Sequence, residues 1–186
     1  MRKNWGAKPY TYPQPVFILA AYGEDGTPNV MNVAWGGISD DRELSLCISA
    51  GHRTTVNLLK RKAFTVSMAD AEHVAACDYV GLVSGNSVPD KCARAGFHTV
   101  HSEFVDAPLI EELAIAVECR LKHYDPETGR LVGEIVNVSV DERALDAEGN
   151  VDLAKVRPIT FDPFHNTYVV LGETVGRAFH DGLALK

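Results

Sequence analysis

The chain has 186 residues, 46% apolar and 23% charged, the usage of a soluble globular domain long enough to build a core without disulfide or metal staples. Its formal net charge of -7 excludes a general nucleic-acid binder, which needs clustered Lys and Arg, so an anionic ligand requires a local basic pocket. No apolar run reaches the ~18 residues of a membrane span, Met1–Gly6 leads into Pro9, Pro13 and Pro15 rather than a secretory stretch, and Cys47, Cys77, Cys92 and Cys119 lie far apart. These features predict one domain over residues 1–186, cytoplasmic, with reduced thiols.

Val16–Tyr22 is a short apolar run that enters a hairpin turn at Gly23-Glu24-Asp25-Gly26, because Asp-Gly supplies the positive φ of a tight turn. The return strand runs from Pro28 to Trp35, and Leu44–Ser49 alternates as a third strand. Thr54–Arg61 has a hydroxyl at its start and cations at its end, the pattern of a short capped helix. Ala63–Met68 is a strand, and Asp70 is placed to cap a second helix running toward Val80. Residues 81–96 are rich in Gly, Ser, Asn and Pro and read as an irregular loop. Leu113–Leu121 and Leu131–Val140 form a strand pair around the turn Asp125–Gly129, and Tyr168–Leu171 adds a late strand. Six or seven strands with two or three brief helices predict a mainly β fold, a β-barrel with helical decoration rather than regular βαβ alternation.

Ser49-Ala50-Gly51-His52-Arg53-Thr54-Thr55 joins a strand to a helix start, where free N–H groups favour an anion, and adds two cation-capable side chains and three hydroxyls. The same residues also fit a capped helix with a solvated Arg. Ser84, Gly85, Asn86 and Lys91 form a second polar stretch that by itself fits a solvated loop. Trp35-Gly36-Gly37 sets a large aromatic beside glycines that let a flat ring approach the backbone, although by itself it fits a core tryptophan at a turn better. His98 and His101 lack the Cys or carboxylate pattern of a metal site, and no hydrolase, P-loop or dinucleotide fingerprint is present.

Taken in order, the blocks Tyr12-Pro13-x-Pro15-Val16, Asp25-Gly26-x-Pro28-Asn29-x-Met31-x-Val33-Ala34-Trp35-Gly36-Gly37, Arg61–Val66, Ser84-Gly85, Asp106-Ala107-Pro108, Gly133-Glu134-Ile135 and Gly176–Phe179 resemble the flavoredoxin branch of the flavin reductase-like, FMN-binding split-barrel family. The resemblance implies a homodimer with one FMN per subunit. Asn29, Asn32, Ala34 and Trp35 would lie along the ring and ribityl chain. Ser49, His52, Arg53 and Thr54 would meet the phosphate. Ser84, Gly85 and Lys91 would close over the cofactor, and Phe161 would be a late ring contact. Two departures stand out. The basic pair that relatives carry before the phosphate helix is replaced by Ser49-Ala50-Gly51, and the His they carry before the Gly-Glu pair is replaced by Thr128-Gly129-Arg130.

The function implied is NAD(P)H-dependent flavin reduction, with hydride passing from the nicotinamide to flavin N5 and no protein acid or base required. An FMN-carrying electron-transfer protein that serves a redox partner protein is the alternative, and a non-redox split-barrel binding module is a third reading.

Overall fold

The computed structural model describes all 186 residues. Its centre is a seven-stranded, wholly antiparallel sheet that curls on itself, built from β1 (Phe17–Tyr22), β2 (Pro28–Val33), β3 (Gly36–Asp40), β4 (Glu43–Cys47), β5 (Ala63–Met68), β8 (Ile115–Asp125) and β9 (Arg130–Val140). The strand order is β2-β1-β5-β8-β9-β4-β3. Two small hairpins flank it: β6 (Thr99–His101) with β7 (Pro108–Ile110), and β10 (Ile159–Asp162) with β11 (Thr167–Val170). Helices α1 (Arg53–Arg61), α2 (Val74–Leu82), α3 (Lys91–Arg94) and α4 (Leu153–Val156) decorate the sheet.

The apolar run of β1 exists because both faces of that strand are covered. Ile18 and Ala20 join a cluster with Val30, Cys77, Val80 and Phe97, under α2. Leu19 and Ala21 join the opposite cluster with Leu58 of α1, Phe64, Val66 and Leu131. Full burial of each such Ile or Leu contributes about 1.5–3 kcal/mol. Phe64 also explains Gly133, where an added Cβ would stand 2.4 Å from the Phe64 ring.

The two helices thus grip opposite faces of one sheet margin, and β2 at its edge carries side chains to both. Asn29 and Met31 face the α1 side, while Asn32 reaches α2, donating to Cys77 O at 3.2 Å. The Asp-Gly hairpin forms as expected, with Gly26 at φ +82° and Thr27 N–H donating to the Asp25 carboxylate at 3.0 Å.

Several boundaries differ from the sequence expectation. The strand expected through Trp35 ends at Val33, and Gly36 opens β3, an edge strand that the glycines had disguised as a turn. Gly36 is needed there because a Cβ would lie 2.8 Å from Ser45 O across the ladder. The second helix starts at Val74, later than expected. Asp70 precedes it as a brace, accepting from His73 N–H at 2.8 Å and forming an isolated bridge with Pro158. The 81–96 loop contains α3, and the hydroxyl of Thr54 does not cap α1 but turns inward. All four cysteines are free, only Cys47 exposed, and no helix is long and apolar enough to cross a membrane. His98 and His101 have separate carboxylate partners, Glu112 at 2.7 Å and Asp106 at 3.2 Å.

Candidate functional site

Two adjoining hollows open along β2. The inner one, about 240 Å3, lies between the α1 start, β2 and the segment from Val80 to Lys91. The outer one, about 460 Å3, lies between the end of β2, the segment Cys47–His52 and the β8–β9 turn. They share Met31, Asn32 and His52, so they form one elongated cleft of the size that holds a cofactor-scale ligand.

The inner hollow is built around a helix start. His52 precedes α1 in an extended conformation and no side chain caps the helix. The first-turn N–H groups therefore keep their capacity for an external acceptor, at the positive end of the dipole. Thr54, 1% exposed, donates its hydroxyl to Asn29 Oδ1 at 2.7 Å, which ties α1 to β2. The Asn29 amide in turn packs on Gly85, where a Cβ would stand 2.2 Å from Asn29 Nδ2. Asn86 donates to Gly51 O at 3.1 Å, and Ser84 Oγ accepts from Asn86 N–H, so the polar loop is fastened across the turn before α1.

Lys91 is the unusual member. It is 3% exposed, and its ammonium donates to Val80 O and Val83 O, each at 2.9 Å, at the C-terminal end of α2. Burial pulls its pKa down from 10.5 to about 8. A buried ammonium has three donors and is ordinarily paired with an anion, yet these partners are neutral carbonyls and no carboxylate bridges to it. Arg53, exposed at the first position of α1, is the second cation on this hollow.

The outer hollow has Ala34 and Trp35 on one side, with Trp35 57% exposed rather than packed in the core. Cys47, Ser49 and Ala50 line the facing side. Its rim is the turn Pro126–Gly129, rigid for identifiable reasons. The Asp125 carboxylate accepts from Glu127 N–H at 2.9 Å and from the Thr128 hydroxyl at 2.7 Å, and these bonds hold its pKa below the ordinary carboxylate value. Gly129 sits at φ +71°, its carbonyl accepts from Ile48 N–H at 2.8 Å, and it has no room for a Cβ, which would stand 2.8 Å from Ile48 O. No Lys or Arg lines this hollow; its ionisable groups are Cys47, His52 and Glu127.

Asn29, Asn32, Ala34, Trp35, Ser49, His52, Arg53, Thr54, Ser84, Gly85 and Lys91 therefore all line the one cleft, although they come from segments up to 62 positions apart. Phe161 does not. It lies in β10, packed beside the α2-side core cluster with its ring 6.0 Å from that of Tyr168, and lines neither hollow. Met31, Cys47, the 81–83 segment and the rim residues Pro126 and Glu127 belong to the cleft but were not picked out from sequence. The Asp-x-x-Thr-Gly pattern marks a tight turn without showing that it folds back over Ile48.

A family model described as flavin reductase like domain matches residues 10–160. The flavoredoxin of Desulfovibrio vulgaris (Miyazaki F) superposes with a TM-score of 0.92 at 36% identity, over 98% of this chain and 100% of its own. The flavoredoxin of Methanosarcina acetivorans gives 0.85 at 26% identity, over 100% and 98%. An FMN-binding domain of a flavin reductase-like enzyme from Shewanella baltica shares the fold, with a TM-score of 0.76 at 16% identity over 88% and 89%.

Proposed function

The chain belongs to the flavin reductase-like family, with the split-barrel fold of its flavoredoxin neighbours, and on that premise we propose that it holds FMN in the two-part cleft and relays electrons through it. The observation that carries this reading is the polarity of the cleft. Its two cations, Arg53 and Lys91, stand at the inner end with the uncapped start of α1, and its exposed indole stands at the outer end. An FMN laid along β2 puts its phosphate at the first and its ring at the second.

In this arrangement the residues have distinct tasks. The α1 amides, Arg53 and Thr54 side of the hollow receive the phosphate, and Lys91 gains the anion its carbonyl partners do not provide. Asn29 and Asn32 keep their backbones close to the ribityl path because Thr54, Gly85, Cys77 and Gly81 hold their amides in place. Trp35 gives the ring an apolar flank, and the rim turn limits access from the far side. Bound FMN supplies the chemistry, taking up and releasing reducing equivalents.

The relay reading is preferred to nicotinamide-driven reduction on one specific observation. A nicotinamide dinucleotide brings a diphosphate, and the outer hollow, from which it would approach the ring, is lined by no Lys or Arg. The first test is the visible spectrum of the purified protein. A colourless protein that ignores added FMN would leave a non-redox binding module. With FMN bound, rapid mixing with NADH and NADPH decides the rest: no bleaching supports the relay, whereas fast bleaching establishes an NAD(P)H-dependent flavin reductase.

A second copy of the chain is the proposed neighbour of this cleft. Ile38 is 68% exposed on the edge strand β3, next to an apolar groove of about 420 Å3 floored by Phe17, Met68 and Ile115. An unpaired apolar edge of this kind is normally covered. Light scattering of the purified protein checks for the dimer mass.

A further inference from the structure

We propose that Glu127, on the rim of the outer hollow, selects by charge the electron-exchange partner that reaches the ring: cationic and neutral small molecules are admitted, and polyanions are slowed. The inference rests on the FMN assignment above and adds a property of the outer half that the assignment does not contain.

Three observations carry it. First, the lining of the outer hollow contains one carboxylate, Glu127, and no Lys or Arg; the nearest cation on this side, Arg130, follows the rim turn and pairs with Cys47 across the ladder, outside the lining. Second, Glu127 is held on the rim by a rigid turn. Its own N–H donates to the Asp125 carboxylate at 2.9 Å, and Gly129 locks the turn against Ile48 through a 2.8 Å bond. These bonds fix the backbone from which the exposed Glu127 side chain extends. Third, the cations of the cleft, Arg53 and Lys91, sit in the inner hollow, where the cofactor phosphate neutralises them. With the phosphate seated, the approach to the ring is left with a negative rim. The chain as a whole, at -7, adds to the same sign.

The experiment uses the FMN-loaded protein, reduced with one equivalent of the two-electron donor dithionite and mixed with a trivalent anion, ferricyanide, or a trivalent cation, hexaammineruthenium(III). Each oxidant takes one electron, two are consumed per flavin, and the reduced flavin anion releases one proton as its electron pair leaves. A single charge acting on a trivalent ion roughly 10 Å away through water changes the encounter rate about four- to fivefold at 10 mM ionic strength and little at high salt. Glu127→Gln is therefore expected to raise the ferricyanide rate and lower the ruthenium rate, each about four- to fivefold at 10 mM salt. The two effects should vanish together near 0.5 M salt, and Glu127→Lys should carry both further. Rates that do not move, or that move in the same direction for both oxidants, overturn the proposal.

A readout without flavin separates its failure from failure of the FMN reading. In a Trp5→Phe background, Trp35 is the one tryptophan, and its fluorescence is quenched by iodide or by caesium ions. Glu127→Gln should raise the iodide quenching constant and lower that of caesium. An unchanged pair of constants would show that Glu127 exerts no field on the hollow, whatever the cofactor.

Discussion

Thr54 Oγ1 and Asn29 Oδ1 lie 2.7 Å apart in a buried hydrogen bond that joins the first turn of α1 to the start of the edge strand β2. The bond sets the width of the inner hollow, because one partner belongs to the helix that faces an anion and the other to the strand along which the cofactor would lie. Replacing Thr54 by Val keeps the shape and leaves the Asn29 amide oxygen without its donor, at a cost of about 1–3 kcal/mol. Urea unfolding of T54V, N29A and the double variant should give a coupling of about 1 kcal/mol, and additivity would show that the two residues act separately.

Gly85 touches that same pair from the other side. In G85A the new Cβ would fall 2.2 Å from Asn29 Nδ2, so the amide must turn or the loop must lift. The expected outcome is a loss of about 1–3 kcal/mol in stability together with at least tenfold weaker FMN binding. Gly51→Ala, where an added Cβ meets nothing within 4 Å, is the control and should leave both nearly unchanged.

Lys91 gives the site a pH dependence with a definite sign. Its folded pKa, about 8, lies below the ordinary 10.5. Below pH 8 the group is protonated in both the folded and unfolded chain, and the full cost of burying the charge is present. Between 8 and 10.5 the folded form sheds its proton first, so the ligand-free protein gains stability as pH rises. FMN binding runs the other way: a phosphate prefers the charged lysine, so affinity should be greatest below pH 8 and fall above it. Fluorescence titrations from pH 7 to 9.5 should show this slope in the wild type and a flat profile in K91M.

Arg53 is exposed and makes no internal hydrogen bond, so R53A should leave the unfolding midpoint within about 0.5 kcal/mol of wild type. If it receives the phosphate, FMN affinity should fall ten- to a hundredfold, the range of a lost charge-assisted bond. Equal affinity for R53A and wild type would remove the phosphate from the inner hollow.

The mainly β fold and most of the cleft were legible in the order of short blocks along the chain. β1 was readable because a strand covered on both faces needs an uninterrupted apolar run, and α1 because its cations gather at the far end. What local chemistry could not show was convergence. Lys91 in isolation is a solvated loop lysine; only the fold of α2 back over the loop buries it among carbonyls. Trp35 by itself read better as core, and its exposure goes with β2 ending two residues earlier than the pattern suggested. β3 was hidden because Gly36 and Gly37 carry no side-chain alternation. Phe161 was assigned by its position in a resemblance, and the β10–β11 hairpin that sets it against the α2-side core left no sign in the surrounding residues.

The two hollows meet at only three residues, Met31, Asn32 and His52. Changes in the rim turn can therefore accumulate without disturbing the inner wall, and the inner wall can change without altering what the outer opening admits. In a cleft divided this way, a four-residue turn can vary on its own while the helix start and its buried contacts keep their shape.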